Sequence, residues 1–142
     1  MASFSAIDIS ASALAAERFR MELIAQNMAN INTTRTADGG PYRRKEAIFA
    51  SLGTGVFSRH LKSAQMQGVG VAGVVVDQSP PKLIYNPNHP DAHPDGYVRL
   101  PNINPVTEMV NMIAASRAYE ANVAAIMNYR KMAERAMEIG RV

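Results

Sequence analysis

Three stretches bring together residue types that could do chemistry. Gly68-Val69-Gly70-Val71-Ala72-Gly73 spells G-x-G-x-x-G, and Asp95 follows about 20 residues on. That pattern can seat a dinucleotide pyrophosphate on a helix N-terminus, with the acid on the ribose. A helix must then open at the last glycine. Here Val74-Val75-Val76 and Pro80-Pro81 follow instead, so the glycines read as strand residues near a bulge or a close backbone contact. His89 and His93 stand four apart with Asp91 and Asp95 interleaved. On a helix this spacing could hold zinc, but Pro90 and Pro94 forbid a helix, which leaves a solvated loop. Arg43-Arg44-Lys45 is the densest run of charge. It reads as a solvated hairpin or as an ion-pairing patch toward an acidic neighbour. Nucleic acid fits less well, because Tyr42 is the only aromatic platform beside it. No Ser/His/Asp arrangement, paired buried carboxylates or phosphate loop survives inspection. No catalytic residue, metal ligand or cofactor is assigned, and enzyme activity has no support.

Chemistry being absent, the elements that would position it become the subject. The chain has 142 residues, 47% of them hydrophobic, which makes one domain-sized unit and excludes wholesale disorder. Aromatics are sparse at 6%, without Trp, while Ala and Met are plentiful. That balance suits helix seams better than a large rigid core. There is no Cys, so disulfides and thiolate chemistry are out of reach. The net charge of +3 is concentrated in the middle of the chain and is too dilute for a basic nucleic-acid stripe. The longest apolar run, residues 68–76, is about half of what a spanning helix needs. Ala13-Leu14-Ala15 imitates a signal-peptidase site, but no base precedes Arg18 and Asp8 interrupts the apolar region, so no cleaved signal is expected.

Helical patterning occupies both ends. Ser5-Ala6-Ile7-Asp8 fits a capping box. Ile7, Leu14, Met21 and Met28 then recur at heptad spacing, with Ala11, Ile24, Ala25 and Ile31 on the adjacent line. This predicts a helix from about residue 6 to 31, roughly 39 Å long. At the other end Asn104 suits the N-cap and Pro105 the first helical position. Met109, Met112, Ile113, Tyr119, Val123, Ile126, Ala133 and Met137 mark a stripe that ends before Gly140. The predicted length is roughly 52 Å for about 35 residues. The pair alone is marginal, which argues for an assembly subunit whose ends order on contact with neighbours.

Residues 32–103 differ, holding most of the Gly and Pro. Short β-type runs occur at Ala47-Ile48-Phe49, Val69 to Val76, Lys82 to Tyr85 and Tyr97 to Leu100. Turns separate them at Gly39-Gly40-Pro41, Ser79-Pro80-Pro81 and Asp95-Gly96. The expected fold is therefore mainly α with a small β insert. Residues 1–32 form an N-terminal helical segment, 33–103 a central β-hairpin-rich segment and 104–142 a C-terminal helical segment.

The corner between the first two segments carries a family signature. Ala25-x-Asn27-x-Ala29-Asn30-x-x-Thr33 resembles the N-terminal motif of bacterial flagellar axial proteins of the rod and hook. Thr33-Thr34-Arg35-Thr36 and the run Asp38 to Lys45 are similar to the proximal-rod branch. So are Gly70 to Gly73 with Asp77 and Pro80, and His89-Pro90-Asp91-Ala92 with Gly96-Tyr97-Val98. Glu108-Met109-Val110 with Ser116-Arg117-Ala118-Tyr119-Glu120-Ala121-Asn122 completes the likeness, which spans essentially the whole chain. Pro81 is a small departure.

The resemblance implies a structural subunit of the basal-body rod in which the terminal helices pair as an antiparallel coiled coil lining an axial tube. It implies a periplasmic position and export by the flagellar type III apparatus without a cleaved signal. The implied partners are other rod proteins, the basal-body membrane ring and the export-gate adaptor, with self-association in a helical assembly and no nucleic acid or small-molecule substrate. Subunit contacts are expected from Ile7, Leu14, Met21, Ile24, Asn27, Met28, Asn30, Ile31, Thr33 and Thr34. Tyr42, Arg43 and Arg44 join them from the middle. Met109, Ile113, Arg117, Tyr119, Glu120, Asn122, Val123 and Ile126 join them from the C-terminal helix. Asn and Thr also compete for backbone groups and so end a helix; Asn27 and Asn30 are expected to bond adjacent helices or backbone, with Thr33 and Thr34 fixing the exit. The rival readings are another axial subunit of the rod or hook, and a nucleic-acid-binding helical hairpin using Arg43, Arg44 and Lys45.

Overall fold

The computed structural model describes residues 6–37, 39–52 and 68–140. Ser5 and Asp38, which belong to the expected capping box and corner run, lie outside the described residues. Helix α1 spans Ala6–Ala29, followed by strands β1 Lys45–Ser51, β2 Val69–Val76, β3 Lys82–Tyr85 and β4 Tyr97–Leu100, and helix α2 Pro105–Ile139. The N-cap of α2 forms as the sequence requires. Asn104 is extended, its side chain accepts from the Val106 N–H, and Pro105 opens the helix. Gly140 closes it with a φ of −79°, so this stop does not use the left-handed conformation.

The strands form two separate antiparallel pairs, β1 with β2 and β3 with β4. In the first, the register shifts between Ile48 and Phe49, so that Ala72 is an extra residue between Val71 and Gly73. The G-x-G-x-x-G pattern is resolved here as a bulged strand. Gly73 lies beside the bulge, and Gly68 and Gly70 sit where a Cβ would come within 2.7 Å of the Ser12 and Leu52 side chains. The second pair is joined by residues 86–96. Its turn needs Gly96, which has a φ of +78° and room for a Cβ only 2.7 Å from a Tyr85 ring carbon. Tyr85 and Tyr97 meet edge to face across the pair.

Helix α1 packs on α2 and also on β1 and β2. Among the described residues the buried hydrophobic core is small: Ala16, Leu23, Ile24, Val98, Ile103 and Ala115. The deepest line on α1 runs through Ala16, Leu23, Ile24 and Asn27. It does not follow the expected heptad line, on which Leu14, Met21 and Met28 are half-buried and Ile7 is exposed. The physical reason is the third layer. Leu23 and Ile24 share a crevice with Lys45, Glu46, Ala47 of β1 and Asn111 of α2, so they are covered from two sides. Periodicity alone locates an apolar stripe, but the hairpin decides which side of it is deepest.

On α2 the covered stripe is Glu108, Asn111, Met112, Ala115, Tyr119, Asn122, Val123 and Ile126. These positions recur every three or four residues and define one helix face. Val106, Met109, Val110 and Ile113 lie on the other side and are 52–65% exposed. Every described residue of the helix after Ile126 is exposed. None of the helices, over the described residues, is long and apolar enough to cross a membrane.

Candidate functional site

The most constrained polar groups in the molecule meet where the end of α1, the start of β1 and the start of α2 converge. Asn27 and Glu108 are the largest fully buried side chains, at 0% and 1% exposure. The Asn27 amide donates to the Lys45 carbonyl at 2.9 Å and to Glu108 Oε2 at 3.1 Å. Its oxygen accepts from the Lys45 N–H at 2.9 Å and the Tyr42 hydroxyl at 3.1 Å. An Asn side chain has two N–H donors and an oxygen with two lone pairs, and all are used.

This arrangement makes Asn27 a rung of the sheet. Lys45 pairs with Val76 across the ladder, yet both its backbone polar groups go to the Asn27 amide. They therefore point away from β2, and a helix side chain supplies what a third strand would have supplied. Asp could not replace it, because a carboxylate has no N–H for Lys45 or Glu108.

Glu108 also accepts from Arg44 Nε at 2.7 Å, and Arg44 reaches Glu46 at 2.7 Å. Burial by itself lowers the basicity of the Arg44 guanidinium, but the hydrogen bonds it donates to both carboxylates outweigh this and leave the group more firmly protonated than usual. Burial, reinforced by the Glu108 charge, pushes the Tyr42 phenol above its ordinary value of 10.0. The Lys45 ammonium stands 5.6 Å from the Tyr42 ring centroid. At the far end of this cluster Asp77 accepts from the Ser79 backbone and side chain, which holds its carboxyl below the usual range.

The Asn- and Thr-rich corner is tied down residue by residue. Asn30 donates to the Gln26 carbonyl of the last helical turn at 2.8 Å, and Thr33 donates to the Asn30 side chain at 3.1 Å. Thr34 donates to Asp91 at 2.7 Å, joining the corner to the loop between β3 and β4. In that loop His89 accepts from the Asp91 N–H. Among the described residues no group of His, Cys, Asp and Glu could hold a metal.

The expected contact residues therefore divide. Ile24 and Asn27 are interior. Leu14, Met21, Met28, Asn30, Ile31, Thr33, Thr34, Tyr42 and Arg44 are half-buried within the chain, as are Tyr119, Asn122, Val123 and Ile126. Asn122 bonds the Ala118 carbonyl of its own helix. Ile7, Arg43, Met109, Ile113, Arg117 and Glu120 are exposed, with Arg43 bonded to Gln78. The central residue absent from the expected set is Glu108. Its signal was an acid on the same helical line as Met112, Tyr119 and Ile126, where an apolar residue belongs.

The chain was compared with known proteins. Residues 7–35 match the family described as flagella basal body rod protein, and 95–139 match the C-terminal family of flagellar basal body rod FlgEFG proteins. The FlgC basal-body rod protein of Borreliella burgdorferi is 44% identical over 149 residues, covering 98% of each chain. That of Bacillus subtilis is 41% identical, covering 99% of this chain and 100% of the relative. That of Salmonella typhimurium is 38% identical, covering 99% of each. The chain belongs to the FlgC family. It is a structural subunit of the flagellar basal-body rod and not an enzyme. FlgC membership selects the rod reading over the nucleic-acid hairpin. It also places both halves of the polar cluster inside matched regions, Asn27 in the first and Glu108 in the second.

Proposed function

We propose that this chain polymerises with other rod proteins into the torque-transmitting axial tube through the outward faces of its terminal helices. The observation that carries this is the division of α2. One face is covered by the chain itself, while Val106, Met109, Val110 and Ile113 are left more than half exposed. A contiguous apolar strip of that kind is costly on a free monomer and ordinary at a subunit contact. Contacts that do not close into a ring build a helical tube.

In this reading α1 and α2 form an antiparallel coiled coil, and segments 1–32 and 104–142 work as one terminal unit. Segment 33–103 lies to its side and adapts the subunit to radial neighbours. Ile7, Met109, Ile113, Arg117 and Glu120 touch neighbouring subunits. The half-buried set, including Asn30, Thr33 and Thr34, holds those contacts in register. The basal-body membrane ring and the export-gate adaptor are the neighbours at the inner end, and the rod position is periplasmic. The chain reaches it with its N-terminus uncleaved.

The test is incorporation. Met109→Ser with Ile113→Ser is expected to leave the melting of the purified chain within about 0.5 kcal/mol of the unaltered one, as exposed sites do. The same pair is expected to abolish recovery of the chain in isolated basal bodies. Recovery equal to that of the unaltered chain sinks the proposed contact face. Mass spectrometry of rod-derived protein tests the uncleaved N-terminus.

A further inference from the structure

A second surface lies away from the helix pair. Two clefts, of about 260 and 270 Å³, open on either side of the Gly39-Gly40-Pro41 turn and share Gly40, Pro41 and Arg99 as walls. Arg43 and Arg44 line the first cleft, and Arg35 lines the second. Gly39 and Gly40 have φ values of +81° and +86°, and a Cβ on either would meet open space. Glycine is needed there for the backbone angle, and the turn leaves the clefts open rather than filling them.

The charges in these clefts are unequally satisfied. Arg44 is engaged by Glu108 and Glu46, and Arg43 by Gln78. The side chains of Arg35 and Arg99 make no ion pair or hydrogen bond with another described residue. Asp77 lines the first cleft, where it accepts from Ser79, and Asp91 the second, where it accepts from Thr34, so the walls carry four guanidiniums and two carboxylates. Two exposed guanidiniums with no bonded partner among the described residues, both lining the clefts at an open turn, are suited to carboxylates.

We infer that the clefts flanking the Gly39-Gly40-Pro41 turn bind an acidic peptide segment of a different rod component through Arg35 and Arg99. This rests on the rod reading above. A second copy of the chain is a poor source of that segment. Its net charge is +3. Ser79 and Asn102 also line the first cleft, and they suit a peptide backbone better than a bare polyanion.

The test uses the full chain in cells lacking their own copy, in three forms: unaltered, Arg35→Glu with Arg99→Glu, and Arg35→Lys with Arg99→Lys. Recovery in isolated basal bodies is read beside melting of each purified chain. Charge reversal is expected to lower recovery about tenfold or more without changing the melt, and the lysine pair to retain most of it. Motile revertants of the reversal are expected to carry an acid-to-base change in another rod protein. Full recovery of the reversed chain, or revertants compensating within this chain, overturns the inference. So does retention of a labelled DNA oligonucleotide at physiological salt that the reversal abolishes. If the unaltered chain itself never reaches the basal body, the rod reading falls and the inference with it.

Discussion

At the scale of single residues, the molecule turns on a fully buried amide at the end of α1. Replacing Asn27 by Ala leaves the Lys45 N–H and C=O, one Glu108 oxygen and the Tyr42 hydroxyl short of a partner at once. The expected cost is about 2–4 kcal/mol, read as a lowered denaturation midpoint. Glu108→Ala should cost about 1–3 kcal/mol, because it leaves the Arg44 Nε–H and one Asn27 N–H without their acceptor while Glu46 still pairs with the guanidinium. Tyr42 gives a pH signature of defined sign. Its phenol titrates higher in the folded chain than the ordinary value of 10.0, so its contribution is complete below that pH and is lost as pH rises through the raised value. Tyr42→Phe should therefore flatten the alkaline end of the stability profile, which melting measured across that range will show. Part of this cluster was legible. Asn27 and Tyr42 stand out by type and position, and the notion that Asn27 bonds backbone is met by Lys45. Its closure by Glu108 was not legible, since the two residues are 81 apart and no periodicity links a helix end to a helix start across a β insert.

The elements were far more readable than their packing. Asn104-Pro105 opens α2, and the strand runs from Val69, Lys82 and Tyr97 begin and end as their turn residues dictate. Local rules decide such boundaries, because capping and turn geometry involve only near neighbours. Which side of α1 is deepest depends on the β1–β2 hairpin, whose position no local rule encodes. Gly96 tests the element scale directly. Gly96→Ala combines a positive φ with a contact at 2.7 Å to Tyr85, and about 1–3 kcal/mol of local destabilisation should follow. Faster hydrogen exchange confined to the β3–β4 pair is the expected reading. Within α2, amides from Glu108 to Ile126 should exchange more slowly in the free chain than those beyond it. The covered stripe ends at Ile126 and every later described residue of the helix faces solvent.

For the whole molecule, a small core and long helices describe a part made to be completed by others. Only six hydrophobic residues among those described form the buried core. Stability of the free chain should accordingly be low, and should rise with its concentration if copies associate, by mass action. Calorimetry over a hundredfold concentration range measures this. A midpoint independent of concentration would restrict the stabilising neighbours to other proteins. The lack of a catalytic motif left enzyme activity without support, and the corner motif pointed to the family. The two clefts at the glycine turn were hidden, because Arg35 and Arg99 are 64 positions apart in the chain.

The buried cluster joins positions 27, 44 and 108, and this fixes the order in which the chain can become native. A ribosome that has finished β4 has joined every residue up to Leu100 without the acid that closes the lock. Until then α1 has no second helix to lie against, and closing so long a loop is the slow, entropically costly event in folding. The polar lock at the base of the helix pair therefore cannot close before Glu108 has been made.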